Sequence, residues 1–227
     1  MDNSSFKSEF EKADAMLMRV FQYMSMMKDY YDEKDASAIF AEALKLAELS
    51  EKLTLQTRIL PAYLGHPLGY QMMDQLLIET SGIFMGFTPQ GWFMLQIPAL
   101  LPKKQSGSAE YIRSMLYPSM RRFFAGKNPV CYHDSVVVFR HVYSRNRPER
   151  QYRDHDNIET NMVIDILALY LLPDDAPLRC AHFYCSILGN ADYTEVFIIP
   201  QNEFLLWLSM NFCTDEFPEF TLSGLPP

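Results

Sequence analysis

The sequence predicts an α+β protein, a mixed sheet with flanking helices preceded by an N-terminal helical hairpin or bundle. Three observations carry this expectation. Apolar residues recur every three or four positions through the first eighty residues. After Ser81 they gather into short β-branched and aromatic runs bounded by proline and glycine, and from there strand-like and helix-like segments alternate. The implied organisation is a helical region over 1–80, an α+β domain over 81–210 and a proline-rich tail over 211–227.

Phe6, Phe10, Ala13, Leu17, Val20, Met24 and Met27 mark one face of a helix of about seven turns. Asp35 is placed to cap a second helix, because its carboxylate accepts hydrogen bonds from the first free backbone N–H groups. Ile39, Ala43, Leu46, Leu49 and Leu53 continue that stripe until Pro61. The pair reads as an antiparallel hairpin whose stripes cover the sheet of the same protomer or serve as an oligomerisation device. Met16, Met18, Met24, Met26 and Met27 suit core filling or an adaptable groove. A third helix is expected from Pro67 to Glu79. GIFMGF and WFMLQI, around Thr88-Pro89-Gln90-Gly91, read as a β-hairpin. A helix follows over Ala109–Ala125, ended by Gly126, then a strand over Ser135–Tyr143 and a basic loop to Arg153. The spacing of Ile158, Met162, Ile166 and Leu169 predicts a helix from Asp156 to Leu172, stopped by Pro173. Strands over Arg179–Ile187 and Thr194–Pro200 are expected to pair through a hairpin loop at Leu188–Asp192, ahead of a short helix around Glu203–Met210.

Apolar residues at 48% and charged residues at 21% exclude wholesale disorder and a fibrous repeat. No run of about eighteen apolar residues occurs, and the first fifteen residues are too polar for a signal peptide, so the expectation is a cytoplasmic protein without a membrane span. Cys131, Cys180, Cys185 and Cys213 include no C-x-x-C pair and the five histidines no H-x-x-x-H, which argues for reduced, buried thiols rather than zinc or disulfides.

The net charge of −8 conceals two populations. Between Leu101 and Arg153, eleven basic residues face only Glu110, Asp134 and Glu149, a local charge of +8; nine basic against twenty-five acidic residues leave −16 elsewhere. A basic strip on an acidic body is the footprint of a polyanion contact, or a solvated face whose arginines pair with acids from other segments. Lys103, Lys104, Arg113, Arg121, Arg122, Arg145, Arg147, Arg150 and Arg153 are the candidate nucleic-acid contacts.

Arg153-Asp154-His155-Asp156-Asn157, then a helix, then Asp174-Asp175, is the stretch with the most chemistry. On an extended backbone, acids two apart point the same way. A helix carries the chain about 25 Å before the second pair, which rejoins the first only if the next strand folds back. In that case Asp154, Asp156, Asp174 and Asp175 share one site, and the relief of their mutual repulsion is a hard cation such as Mg²⁺ (or Mn²⁺), able to polarise a phosphodiester and activate water. The plainer reading is helix-capping acids and a solvated turn at Pro173-Asp174-Asp175.

The order strand, basic segment, helix, strand, arginine-rich loop, D-x-D-N, helix, D-D, strand, hairpin, strand resembles the RusA family of Holliday-junction resolvases over about Trp92–Gln201. The family signature is D-x-D-N-x-x-K-x-x-x-D followed by D-D. Both acid pairs match in spacing, Arg153 stands before the first aspartate, and Ile97-Pro98 ends a strand like the family's first. The resemblance implies a small homodimeric, Mg²⁺-dependent endonuclease of phage or prophage origin acting on branched DNA, with Asp154, Asp156, Asp174 and Asp175 as catalytic metal ligands. Two departures stand out: the family lysine falls on Thr160, and its aspartate on Ile164, with Asp165 one place late. A second lysine, often found in the strand after D-D, is also missing from Arg179 to Ser186. Glu159, Asn161 and His155 are extra polar groups, His155 as a general base or in a packing role. These departures point to a divergent endonuclease, or to a DNA-binding protein with impaired catalysis. The whole chain also looks like an uncharacterised family from bacterial mobile elements. The competing class is a non-catalytic interaction or inhibitor protein, an accessory or anti-defence factor of such an element, whose acidic surface meets a protein of a host defence or recombination system.

Overall fold

The computed structural model describes residues 3–104, 109–128, 130–173, 176, 178–212 and 222–224. Helices α1 (Asn3–Asp32) and α2 (Ala36–Tyr63) form the predicted hairpin. Asp35 caps α2, its Oδ1 accepting from the backbone N–H groups of Ser37 at 3.1 Å and Ala38 at 3.0 Å. Pro61 lies inside the last turn of α2 rather than ending it. The antiparallel pairing is tied by Gln56, whose Nε2 donates to Glu9 Oε2 at 2.7 Å. The apolar stripe of α1 divides. Ala13 is buried and Val20 and Met27 are half-buried, while Phe10, Leu17, Phe21 and Met24 stand in solvent. Nor does the hairpin reach the core by lying on the sheet. It packs through α2 and α3 (Gly69–Thr80) onto α4 (Ala109–Phe124), with Arg58 donating to Ser114 Oγ and Arg121 paired with Asp74.

Strands β1 (Phe84–Phe87) and β2 (Phe93–Ile97) make the expected hairpin, followed by β3 (Ser135–Ser144), β4 (Cys180–Gly189) and β5 (Tyr193–Pro200). The sheet order is β1-β2-β5-β3-β4, antiparallel except for the parallel pair β3/β4. The expected β4/β5 hairpin is therefore absent, and the loop between these strands steps over the end of β3 to place β5 on its far side. Two contacts fasten that step: Ser144 N–H donates to Asp192 Oδ1 at 2.8 Å and Arg145 N–H to Gly189 O at 3.0 Å. Burial gives the reason. Thr194 to Ile199 of β5 are all buried, as an inner strand with covered faces requires, whereas β4 is largely exposed and sits at the edge. The tail returns at the other edge, where Ser223 exchanges backbone hydrogen bonds with Phe87.

One sheet face packs Phe93, Leu95, Val137, Phe139, Val196 and Ile198 under α4 and α5 (Asn161–Leu171). The other packs Trp92, Val138 and Phe197 under Trp207 of α6 (Phe204–Phe212). Arg140, one of the eleven basic residues of the strip, is inside this second layer at 2% exposure, its Nε donating to Glu195 Oε2 at 2.5 Å and its guanidinium lying over the Phe197 ring. Cys180 and Cys185 are buried and form no disulfide, whereas Cys131 is exposed, against expectation; Cys213 lies outside the described residues. Among the described residues no helix is long and apolar enough to cross a membrane.

Candidate functional site

The D-x-D-N segment lies beyond the end of β3, and only its first residue, Asp154, keeps an extended backbone. Asp154 precedes a 3-10 turn over His155–Asn157, and α5 begins at Asn161, five residues later than the apolar spacing predicts. A 3-10 turn advances about 120° per residue, so Asp154 and Asp156 are not held side by side as on a strand. Both carboxylates are exposed. Glu159 Oε1 accepts the N–H of Asn161 at 3.0 Å, which starts the helix.

Two segments converge on this turn. The chain after β2 runs against it: Lys103 bridges Ile158, Lys104 N–H donates to Asn157 O at 3.0 Å, and Glu159 N–H donates to Pro102 O at 2.8 Å. The arginine loop from Arg145 to Arg153 arrives from the other side, with Arg153 Nη1 donating to Leu101 O. Burial, then the nearby charge of Arg147, pulls the Arg153 pKa below the ordinary guanidinium value. Arg147 is paired with Asp192 at 2.5 Å, whereas Arg145 and Arg150 are exposed with no ion pair among the described residues. The segments that carry Lys103, Lys104 and the arginines of the 145–153 loop thus meet at the turn that bears Asp154 and Asp156.

The rest of the strip is elsewhere. Arg121 and Arg122 end α4, where Phe124 stacks on Tyr170 near the C-terminus of α5, roughly 16 Å of helix from the turn. Arg113 is in the middle of α4. The anticipated single strip is therefore two groups, and Arg121, Arg140 and Arg147 are neutralised by Asp74, Glu195 and Asp192.

Asp174 and Asp175 lie outside the described residues. Within the described chain, α5 leads away from the turn, Leu171 O accepting from Tyr132 N–H ahead of β3, and β4 runs back parallel to β3. The β4 residues that meet the turn are Tyr184 and Ser186: His155 Nε2 lies 2.8 Å from Ser186 Oγ and its ring is stacked near Tyr184. Among the described residues, no group of three or more His, Cys, Asp or Glu is placed to hold a metal ion. Mg²⁺ commonly takes only one or two carboxylates and completes its shell with water and substrate phosphates, so Asp154 and Asp156 suffice chemically as its protein ligands. At the position where the RusA signature has its lysine, Thr160 is buried, its hydroxyl 3.4 Å from that of Tyr184. Ile164 is in the core and Asp165 is exposed on the outer face of α5.

Sequence reasoning missed the aromatic and histidine groups behind the loop. Tyr143 and Tyr152 stack with centroids 4.6 Å apart, and Tyr143 Oη accepts the N–H of Arg153 at 3.0 Å, which fixes the loop to the strand end. His141, directly across from Ser186 in the β3/β4 register, is buried, and neither ring nitrogen has a hydrogen-bond partner among the described residues. A cavity of about 500 Å³ is lined by Tyr143, Arg145, Tyr152, Ser186, Leu188 and Phe212. The available signal was the interleaving of tyrosines with arginines at 143–153.

Residues 2–220 match the model of a family of unknown function, DUF6100. No curated protein matches the chain.

Proposed function

Because the chain belongs to the DUF6100 family of unknown function across residues 2–220, its chemistry rests on its own side chains, and we propose that it is a divergent RusA-like protein that binds branched or duplex DNA and whose Mg²⁺-dependent cleavage is impaired. The observation that carries this reading is the convergence of Lys103, Lys104 and the 145–153 loop on the turn bearing Asp154 and Asp156. Guanidinium forks suit phosphate oxygens, and the exposed Arg145 and Arg150 are available to them. Mg²⁺ bound by Asp154 and Asp156 would supply Lewis-acid assistance to phosphodiester hydrolysis. Around it, Arg153 and the two lysines would orient the phosphate. Impairment is supported by Thr160 and Ile164: no lysine stands at the start of α5, and the neighbouring carboxylate of Asp165 faces outward; losing such a charge-stabilising group costs on the order of 10²–10³-fold in rate.

The test is a four-way junction titrated at several salt concentrations, then incubated with Mg²⁺ or Mn²⁺. Affinity is expected to fall steeply with salt and to drop several-fold in Arg145→Ala/Arg150→Ala. Any slow cleavage should disappear in Asp156→Asn. Cleavage equal in that variant and the parent excludes the metal role, and salt-insensitive or absent binding excludes the DNA reading. The second reading, a non-catalytic interaction protein, is favoured by one observation, the solvent-facing Phe10, Leu17, Phe21 and Met24 of α1.

A further inference from the structure

We infer that the cavity beside the end of β4 receives an unpaired nucleobase of a DNA strand whose phosphates lie along the 145–153 loop. This rests on the DNA-binding reading and names the feature of the DNA that the site selects.

The cavity, about 500 Å³, is of a size that takes a nucleotide. Its floor is rigid: Tyr143 is 2% exposed, carries the stacked Tyr152 at 4.6 Å and 25°, and is tied through its hydroxyl to the backbone of Arg153. Tyr152 is 36% exposed, so part of its ring remains for a ligand. Leu188 and Phe212, which also line it, are 50% and 47% exposed, apolar surface that a flat heterocycle would remove from water. Polar groups are few: Ser186 Oγ, held by His155 at 2.8 Å, and the exposed guanidinium of Arg145, each able to hydrogen-bond to a base edge.

Aromatic and apolar walls joined to a basic track describe a stacking platform for single-stranded nucleic acid. Charge decides between a nucleobase and an apolar peptide, since Arg145 stands exposed in the lining and Arg150 exposed in the same loop, guanidinium groups that suit the phosphates of a strand. A paired base cannot enter, because both its faces are covered by its neighbours in the duplex.

The full chain is titrated against two duplexes of equal length and charge, each with one 2-aminopurine, unpaired in the first and paired in the second. The expected result is about tenfold tighter binding of the first, with a change in 2-aminopurine emission at saturation. Tyr152→Ala and Leu188→Ser should each erase the difference between the two DNAs, and Tyr152→Phe should keep it. Equal affinities for the two DNAs overturn the base site and leave the DNA-binding reading standing. No binding of either overturns both. Preference for the unpaired DNA that survives Tyr152→Ala and Leu188→Ser together overturns the location.

Discussion

His141 lies on β3 between Thr194 of β5 and Ser186 of β4, 1% exposed, with neither ring nitrogen bonded among the described residues. Burial lowers its pKa to about 4, and the charges of Arg153 and His155 add to the effect. The native ring is thus neutral where the unfolded one, near 6.5, begins to take up a proton. The unfolded chain binds more protons below that value, so stability contributed by the neutral ring is complete above about pH 6.5 and is lost as pH falls through 6.5 towards 4, by at most about 3 kcal/mol. Urea unfolding from pH 7.5 to 4.5 should show this loss in the parent and a smaller one in His141→Phe. Identical pH profiles would remove His141 as the cause. Arg153 and Asp154 were visible as motif residues, but His141, Tyr143 and Ser186 were not, because their importance comes from lying side by side on two parallel strands whose pairing spans more than forty residues.

The elements before residue 145 are those the periodicity predicts, since each is set by local chemistry: the Asp35 cap, the Thr88–Gly91 turn, and Gly126, which ends the α4 region with φ +70°. Two later elements differ. The chain from Asp156 to Thr160 carries a helical apolar spacing but spends it on a 3-10 turn and a bridge to Lys103, a tertiary contact overriding propensity. The Gly189–Asp192 loop resembles a hairpin turn yet crosses β3. At Gly189 the crossing is tight, since a Cβ there would sit 2.5 Å from Val142 Cγ1, and Val142 is fully buried and β-branched. Gly189→Ala is expected to cost about 1–3 kcal/mol in denaturant unfolding. An unchanged midpoint would mean that Val142 does not confine Gly189.

At the scale of the molecule, an acidic helical region packs on α4, a basic turn lies beyond the end of β3 of the five-stranded sheet, and α1 leaves an apolar face uncovered. Contiguous exposed apolar surface of this kind marks interfaces. The expected outcome is a homodimer that uses this face: light scattering should give twice the 26.4 kDa chain mass, falling to the monomer in Phe21→Glu/Met24→Glu. A monomeric parent, or a dimer untouched by the pair of substitutions, would place the interface elsewhere or nowhere. By itself the sequence determined the fold class, the helical hairpin and the β1/β2 hairpin, because caps, turns and apolar spacing act over a few residues. The order of the later strands, the turn that carries Asp154 and Asp156, the splitting of the basic strip and the cavity behind Tyr152 were decided only by the tertiary structure. They depend on which faces find burial and which charges find partners among residues far apart in the chain, quantities that no local pattern encodes.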